Sequence, residues 1–279
     1  MEITSAENET YKKLLSLTRK KHRRELGLCI VEGFRIVSEH FNEATQIFVR
    51  KSVYESLPDN KLVYFLKGEK ELSQKMSLFL RRERVQEKLI ILADKLFDSI
   101  TNLETDPGIL AVLPIPKPRD ITFPFLVLDR ISIPGNVGTL LRTALAFGFN
   151  TVFCIDCADP YSEKVLRASS GIQFKLNIIE LSTEEFLKIV GELNSTLFIA
   201  DLNGTPEFKI QNEKFGLVLG NEGVGASAEI KKIPHKIVTI PMRPACESLN
   251  VAVAGGILMY NFNSALYNTL CQDTANGRK

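Results

Sequence analysis

The sequence has few of the residues that build metal centres or disulfide frameworks. Among 279 residues there are three histidines and five cysteines, and there is no tryptophan. The odd number and wide spacing of the cysteines do not fit a disulfide framework. Cys154 and Cys157 have the C-x-x-C spacing of a redox pair or half a zinc site, but no second cysteine or histidine cluster in the sequence completes such a site. We therefore expect both cysteines at a strand end, and no metal cofactor.

Long apolar runs are also missing from the sequence. No run approaches the ~20 apolar residues that a membrane span requires. The first ten residues are acidic and polar, unlike a signal peptide. Hydrophobic residues nevertheless make up 44% of the chain, which is enough to form buried cores. These features predict a soluble, cytoplasmic protein that does not cross a membrane.

Positive charge is concentrated near the N-terminus, although the net charge is only +2. The segment from Lys12 to Arg24 has basic residues and no acidic one. Such a cluster can contact several phosphates of a nucleic acid, but a solvated helix end has a similar composition. The candidate phosphate-binding residues in this segment are Lys20, Lys21, Arg23 and Arg24.

Short strand-like runs alternate with helical segments over residues 1–113, which predicts a small α/β domain. The predicted strands cover 28–31, 46–49, 62–66, 89–92 and 109–113, and the predicted helices cover 6–18, 33–42 and 69–79. Three prolines follow between residues 114 and 118. Proline-rich segments are extended, so we predict a linker over 114–122.

Buried strands alternate with helices over residues 123–279, a pattern typical of a parallel sheet covered on both faces. The predicted strands cover 125–129, 151–155, 177–181, 197–201, 216–219 and 236–240. The predicted helices cover 137–147, 162–169, 183–191, 225–231 and 248–267. Ligands of such sheets bind beyond the C-terminal ends of the strands, so the loops at those ends are the candidate sites.

The first candidate loop, residues 133–142, follows the strand over 125–129. Pro134 and Gly135 suit a turn, and Asn136 suits a helix N-cap. Arg142 could then point back toward the strand ends, where a helix N-terminus and an arginine together can bind a phosphate. The same residues would also suit an ordinary capped helix with a surface arginine.

Two further loops follow the strands over 216–219 and 236–240. The first of them contains Glu222 and a set of glycines that permit positive φ and close approach to a ligand: Gly220, Gly223 and Gly225. The order of these glycines matches neither a dinucleotide fingerprint nor a Walker loop, so the loop could also be an ordinary turn. In the second, Ser248 and Asn250 suit the cap of a long helix whose small residues allow close packing.

Taken together, the three loops closely resemble the SpoU (TrmH-like) family of the SPOUT methyltransferase superfamily. Asn136, Gly138 and Arg142 match its N-x-G-x-x-x-R motif. Residues 219–223 are similar to L-G-x-E-G, and residues 240–242 with 248–251 are similar to I-P-M…S-L-N-V. The resemblance also includes residues 165–171 and, in the N-terminal domain, 30–35 and 105–112. One departure is Arg243-Pro244, where the family often has a glycine after I-P-M.

The resemblance implies a homodimeric α/β enzyme with a deep C-terminal trefoil knot, a rare exception to the rule that chains are unknotted. It implies that residues 1–113 bind RNA and that residues 123–279 transfer a methyl group from S-adenosylmethionine to a ribose 2′-hydroxyl. The implied donor-binding residues are Leu219, Gly220, Ile240, Met242 and Leu249. The implied catalytic residues are Asn136, Arg142, Glu222, Ser248 and Asn250. Arg167, within the matching segment 165–171, is a further candidate RNA contact.

Several alternatives remain open at this point. Arg142 is the family position proposed as general base, but clamping a phosphate is physically easier because arginine side chains stay protonated. Ribosomal RNA is favoured over tRNA, since compact tRNA enzymes of this family generally lack a domain like residues 25–113. A non-catalytic RNA-binding paralogue would be expected to lose Arg142 or Asn250, and both are present. A nicotinamide-dependent oxidoreductase is disfavoured by the missing G-x-G-x-x-G.

Overall fold

A computed structural model describes residues 1–57, 69–101, 108–206, 210 and 214–275. The strand predicted over 62–66 therefore lies outside the described residues. The chain divides into two compact units, Met1–Ile115 and Pro116–Lys279. Each unit has a sheet and a hydrophobic core of its own. None of the described helices is long and apolar enough to span a membrane.

The N-terminal unit has a five-stranded mixed sheet. Its strands are β1 (Glu2–Ile3), β2 (Leu28–Glu32), β3 (Gln46–Arg50), β4 (Leu89–Leu92) and β5 (Ile109–Pro114). Its helices are α1 (Glu9–Ser16), α2 (Lys20–Leu26), α3 (Phe34–Glu39), α4 (Lys51–Ser56), α5 (Glu69–Leu80), α6 (Glu83–Gln86) and α7 (Asp94–Asp98). The strand order is β1-β4-β3-β5-β2, and β5 is antiparallel to both of its neighbours.

Local sequence signals explain how the basic segment is organised. The side chain of Asn8 accepts hydrogen bonds from the backbone N–H groups of Thr10 and Tyr11, so it caps α1. The helix is shorter than the predicted 6–18 because it starts at this cap. Gly27 ends α2 in the left-handed conformation (φ 63°), which glycine adopts without a steric penalty.

The structure corrects the assignment of Arg23 to the phosphate-binding surface. Arg23 is only 7% exposed, and its Nη1 donates a hydrogen bond to the Leu17 carbonyl at 2.7 Å. The guanidinium group therefore connects the ends of α1 and α2 inside the unit. Lys21 and Arg24 are exposed and Lys20 is partly exposed, so these three side chains remain at the surface.

The C-terminal unit has a six-stranded, wholly parallel sheet. Its strands are β6 (Phe125–Asp129), β7 (Thr151–Ile155), β8 (Asn177–Leu181), β9 (Thr196–Thr205), β10 (Phe215–Leu219) and β11 (His235–Val238). The order is β11-β9-β10-β6-β7-β8. Strands β7 and β8 are therefore added on one side of β6 and strands β9, β10 and β11 on the other, so that the switch point lies between β6 and β10. The predicted parallel α/β fold is confirmed. The trefoil knot stays a prediction.

Helices α8 (Pro134–Ala146), α9 (Glu163–Ser169), α10 (Thr183–Glu192) and α11 (Val251–Ala275) connect and follow these strands. Two glycines allow the closest helix packing. A Cβ atom at Gly138 would lie 2.8 Å from the carbonyl oxygen of Val165 in α9. A Cβ atom at Gly255 would lie 2.6 Å from the side chain of Leu219 in β10. The predicted close packing of the small residues after Asn250 is thus confirmed at Gly255.

Three local predictions were wrong. The helix predicted over 225–231 is absent, and the structure has only a 3-10 turn over Ile230–Lys232. Gly225 has a φ of 70°, and the N–H of Ser227 donates to Asp129 instead of to a helical carbonyl. Asn136 is not the cap of α8, since Pro134 occupies the first helical turn and Asn136 lies inside the helix. Helix α11 begins at Val251, so Ser248 lies before it and Asn250 alone caps it.

The two C-x-x-C cysteines lie at a strand end, as predicted. Cys154 is buried within β7. Cys157 lies two residues beyond that strand, and its thiol is 3.1 Å from the Leu128 carbonyl oxygen and 3.4 Å from that of Ile155. Both thiols are therefore part of the packing around β6 and β7.

Candidate active site

The C-terminal ends of β6, β9, β10 and β11 lie at one edge of the parallel sheet, because parallel strands end on the same side. The loops that follow them surround a cleft of about 660 Å³. The cleft is lined by residues of the glycine-rich loop 220–225, of the loop 239–250 and of the first turn of α11. It lies at the strand ends, where α/β sheets bind ligands.

Nine of the ten residues assigned to donor binding and catalysis line this one cleft. The donor-binding candidates there are Leu219, Gly220, Ile240, Met242 and Leu249, and the catalytic candidates there are Asn136, Glu222, Ser248 and Asn250. They come from four separate segments of a chain in which Asn136 and Asn250 are 114 positions apart. The fold therefore brings together three loops that are far apart along the chain.

A chain of hydrogen bonds joins the polar members of the cleft. Asn136 Nδ2 donates to Glu222 Oε1 at 3.0 Å, which leaves the amide oxygen of Asn136 free to accept. Asn250 Nδ2 donates to that oxygen at 3.1 Å. Asn250 Oδ1 in turn accepts from the backbone N–H groups of Ala252 and Val253, at the start of α11. Each amide orientation is thus fixed by its neighbour, and the series runs from Glu222 to the N-terminus of α11.

The Glu222 carboxylate is held in its charged form. Burial on its own would raise the pKa of Glu222, but hydrogen bonds from Asn136 and from the backbone N–H groups of Ser132 and Ile133 outweigh it, so the pKa lies below the usual 4.5. Hydrogen bonds to a carboxylate favour ionisation because they stabilise the charge. Glu222 is therefore an acceptor at neutral pH, and its action is to orient Asn136.

The glycine-rich loop is organised by Asn221 and by its own tight geometry. Asn221 Nδ2 donates to the Arg130 carbonyl at 2.8 Å, and Asn221 Oδ1 accepts from the Gly223 N–H at 3.0 Å. Backbone hydrogen bonds of 3.0 and 3.1 Å join Asn221 and Gly225. Of the three glycines, which all permit a positive φ, only Gly225 has one, at 70°.

The structure gives a steric reason for a glycine at position 220, and its predicted contact with the donor stays a prediction. A Cβ atom there would collide with the backbone of Gly225 and Ala226, in the same loop. Its φ is not in the left-handed region. The missing side chain thus lets the loop fold back on the end of β10, and this folding forms one wall of the cleft.

The residues of the cleft fit an amphipathic, positively charged ligand. Its lining includes apolar side chains such as Leu202, Leu249 and Leu258. Within the described part of the chain, the backbone N–H groups of Ile240, Met242 and Leu249 donate no hydrogen bond to another protein group, so they are available to a ligand. The charged side chains among the lining residues are all acidic: Asp201, Glu222 and Glu247.

Asp201 was missed as a site residue. It lies within β9, its Oδ2 accepts from Lys231 Nζ at 2.9 Å, and this hydrogen bond is the main cause that lowers the pKa of Asp201. Its place could have been inferred from the sequence, because Asp201 is the last residue of the strand predicted over 197–201 and ligands bind at such strand ends.

Two predicted site residues of the C-terminal unit do not line the cleft. Arg142 is exposed on α8 and is not among the residues that line the cleft. Among the described residues Arg142 has no hydrogen-bond or ion-pair partner. Arg167 is exposed on α9, with Nη2 at 3.2 Å from Glu163 Oε1. Both guanidinium groups are accessible to a large ligand.

Comparison with known protein families assigns each unit. Residues 124–260 match the SpoU rRNA Methylase family. Residues 8–111 match the MRM3-like substrate binding domain. The two matches fall within the two compact units.

Individual relatives extend over nearly the whole chain. The chain is 28% identical over 264 residues to the 23S rRNA (guanosine(2553)-2'-O)-methyltransferase RlmP of Bacillus subtilis, covering 93% of this chain and 98% of the relative. It is 30% identical over 247 residues to the 23S rRNA (guanosine-2'-O-)-methyltransferase RlmB of Coxiella burnetii, covering 82% and 93%. The fold is similar to that of an AdoMet-bound rRNA methyltransferase from Sinorhizobium meliloti, with a TM-score of 0.75, 22% identity and coverage of 93% and 96%.

Proposed function

Because the chain belongs to the SpoU rRNA methylase family, we propose that it transfers a methyl group from S-adenosylmethionine to a ribose 2′-hydroxyl of ribosomal RNA. The observation that carries this proposal is the single cleft in which nine of the ten assigned residues meet. We further propose that the protein acts in the cytoplasm.

The cleft would bind the methyl donor. S-adenosylmethionine, when bound, supplies a methyl group on a positively charged sulfonium. The adenine of the donor is neutral and aromatic. It would be held by apolar side chains and by the unpaired backbone N–H groups of Ile240, Met242 and Leu249. The acidic lining favours a cation, since no lysine or arginine is found among the described residues that line the cleft.

The hydrogen-bonded series from Glu222 to Asn250 would position the ribose. An in-line transfer requires the hydroxyl to be held in one orientation next to the donor. Because Glu222 fixes Asn136 and Asn136 fixes Asn250, these amides cannot rotate without breaking a hydrogen bond. The hydroxyl of Ser248, at the same cleft, would add a further contact.

Arg142 would clamp the phosphate next to the target nucleotide. It is exposed and has no protein partner among the described residues. A guanidinium group stays protonated and forms two parallel hydrogen bonds to a phosphate. This role is compatible with its position outside the donor cleft, because RNA is large enough to contact both.

The N-terminal unit would supply further affinity for RNA. It matches a substrate binding domain, and its surface carries Lys20, Lys21 and Arg24. Ribosomal RNA is the favoured substrate, since the relatives that match over most of the chain are named as 23S rRNA enzymes. In this proposal Arg167 is an additional contact from the C-terminal unit.

The C-terminal unit would form a homodimer through α8 and α11. Three large side chains on one face of α11 are exposed: Val253 at 51%, Ile257 at 37% and Tyr260 at 57%. They lie beside Phe147, whose ring packs edge-on against Tyr260. An exposed apolar face of this kind is typical of an interface between copies of a chain.

Replacing Arg142 tests the proposed function. The wild-type protein should incorporate tritiated methyl groups into an unmodified 23S rRNA transcript, recovered as 2′-O-methylnucleosides after digestion. Arg142→Ala should abolish incorporation, whereas Arg142→Lys, which keeps the charge, should retain part of it. The affinity of Arg142→Ala for S-adenosylhomocysteine should stay within a few-fold of wild type. An inactive wild-type protein would contradict the function, and a large loss of donor affinity would contradict the role of Arg142.

A further inference from the structure

Arg130, the residue directly after β6, has a backbone conformation that needs an explanation. Its φ is 59°, in the left-handed region that residues other than glycine rarely adopt. Two hydrogen bonds of 2.8 Å hold it there, from Arg130 N–H to the Ile155 carbonyl and from Asn221 Nδ2 to the Arg130 carbonyl. Strained residues of this kind cluster at functional sites, where the surrounding structure holds them in place.

The side chain of Arg130 is fixed at one edge and open at the other. Its Nε donates to Asp129 Oδ1 at 3.2 Å. Asp129 is fully buried, and its second oxygen accepts from the Ser227 N–H, so this carboxylate is itself immobile. The Arg130 side chain is 39% exposed, and Nη1 and Nη2 bind no other residue that the structure describes.

This arrangement is suited to an anion with several oxygens. A planar guanidinium fork pairs with phosphate through two parallel N–H donors, and holding it in place beforehand reduces the entropy lost on binding. Asp129 provides that fixation through Nε and leaves both terminal groups free.

The position of Arg130 distinguishes RNA from the methyl donor as the source of the anion. Arg130 does not line the cleft proposed for the donor, which favours RNA over the donor carboxylate as the source of the anion. Arg130 is nevertheless close to the hydrogen-bonded series from Glu222 to Asn250. Asn221, next to Glu222, donates to the Arg130 carbonyl, and the backbone N–H of Ser132 donates to Glu222. We propose that Arg130 binds a backbone phosphate of the RNA substrate beside the target nucleotide. This inference rests on the proposed function.

Two variants of Arg130 and one control test the inference. Arg130→Asn removes the guanidinium group while keeping a residue that tolerates the left-handed region. Arg130→Lys keeps the charge but loses the fork and the Nε anchor. Lys188→Ala, an exposed lysine on α10, removes one charge elsewhere on the same unit. The affinity of each protein for an unmodified 23S rRNA transcript is measured over a range of salt concentrations, beside its affinity for S-adenosylhomocysteine and its melting temperature.

The expected result is a loss of RNA affinity of roughly tenfold for Arg130→Asn. The slope of log affinity against log salt should become shallower by about 0.7–0.9. Arg130→Lys should keep the slope with weaker binding, and Lys188→Ala should resemble wild type. The inference is overturned by an unchanged slope, whether the melting temperature falls or not, or by a loss confined to S-adenosylhomocysteine. A wild-type protein that binds RNA in this Arg130-dependent way without methylating it would support the inference and contradict the proposed function.

Discussion

Gly220→Ala distinguishes two reasons for a glycine at this position. Either the backbone of the glycine-rich loop leaves no room for a Cβ atom, or the bound methyl donor does. The added Cβ atom would lie far inside 3.0 Å of backbone atoms of Gly225 and Ala226, which cannot rotate away as a side chain could. Overpacking typically costs about 1–3 kcal/mol, and rigid backbone neighbours favour the upper end. For a unit of this size about 3 kcal/mol corresponds to a melting temperature roughly 6–12 °C lower.

Two glycines of the same loop provide matched controls. A Cβ atom at Gly223 would meet only Asn221 Oδ1, at 3.7 Å, so Gly223→Ala should stay within about 0.5 kcal/mol of wild type. Gly225→Ala would have space around it but a φ of 70°, and should cost about 1–2 kcal/mol. Thermal melting with and without S-adenosylhomocysteine measures all three. The reasoning is refuted if Gly220→Ala melts like Gly223→Ala yet no longer responds to the ligand, because Gly220 would then be required by the donor alone.

Three further outcomes are expected. Glu222→Gln should lower stability at pH 7, and the difference from wild type should shrink as the pH falls below 4.5, because a carboxylate with a lowered pKa contributes stability only while it is ionised. The basic residues at the surface of the N-terminal unit, Lys20, Lys21 and Arg24, should each contact a phosphate. Replacing all three by alanine should make the slope of log RNA affinity against log salt shallower by about 2–3. An unchanged slope would show that they are merely solvated. Tyr260→Asp should reduce the mass measured by sedimentation from twice 31.3 kDa to 31.3 kDa, and a wild-type protein that is already monomeric would contradict the homodimer.

The strands of the C-terminal unit could be predicted from the sequence because burial on both faces leaves a plain signal. Strands β6, β7 and β8 have the predicted bounds of 125–129, 151–155 and 177–181. β6 and β7 are short runs that are buried over their whole length, whereas β8, at the edge of the sheet, is half-buried from Ile179 onward. The order of the strands could not be predicted, because the insertion of β10 between β9 and β6 depends on contacts between segments far apart in the chain.

Hydrogen bonds from distant residues contribute to two of the wrong local predictions. The segment 225–231 has an acceptable helical pattern, but the buried carboxylate of Asp129 captures the N–H of Ser227, which is 98 positions away. Asn136 has the composition of a cap, but its amide is engaged by Glu222, which is 86 positions away. Propensity describes neighbours along the chain, so tertiary hydrogen bonds of this kind override it.

The structure explains why some positions of the matching motifs require their particular residue type. Gly138 is explained by the close approach of α8 and α9, and Gly220 by the folding of its loop. Asn136 and Glu222 are explained in part by the hydrogen bonds that join the loops. Arg142 has no such explanation, since it is exposed and has no partner among the described residues. Its exposure fits the proposed contact with an RNA phosphate, because a guanidinium group without a protein partner can form two parallel hydrogen bonds to phosphate oxygens.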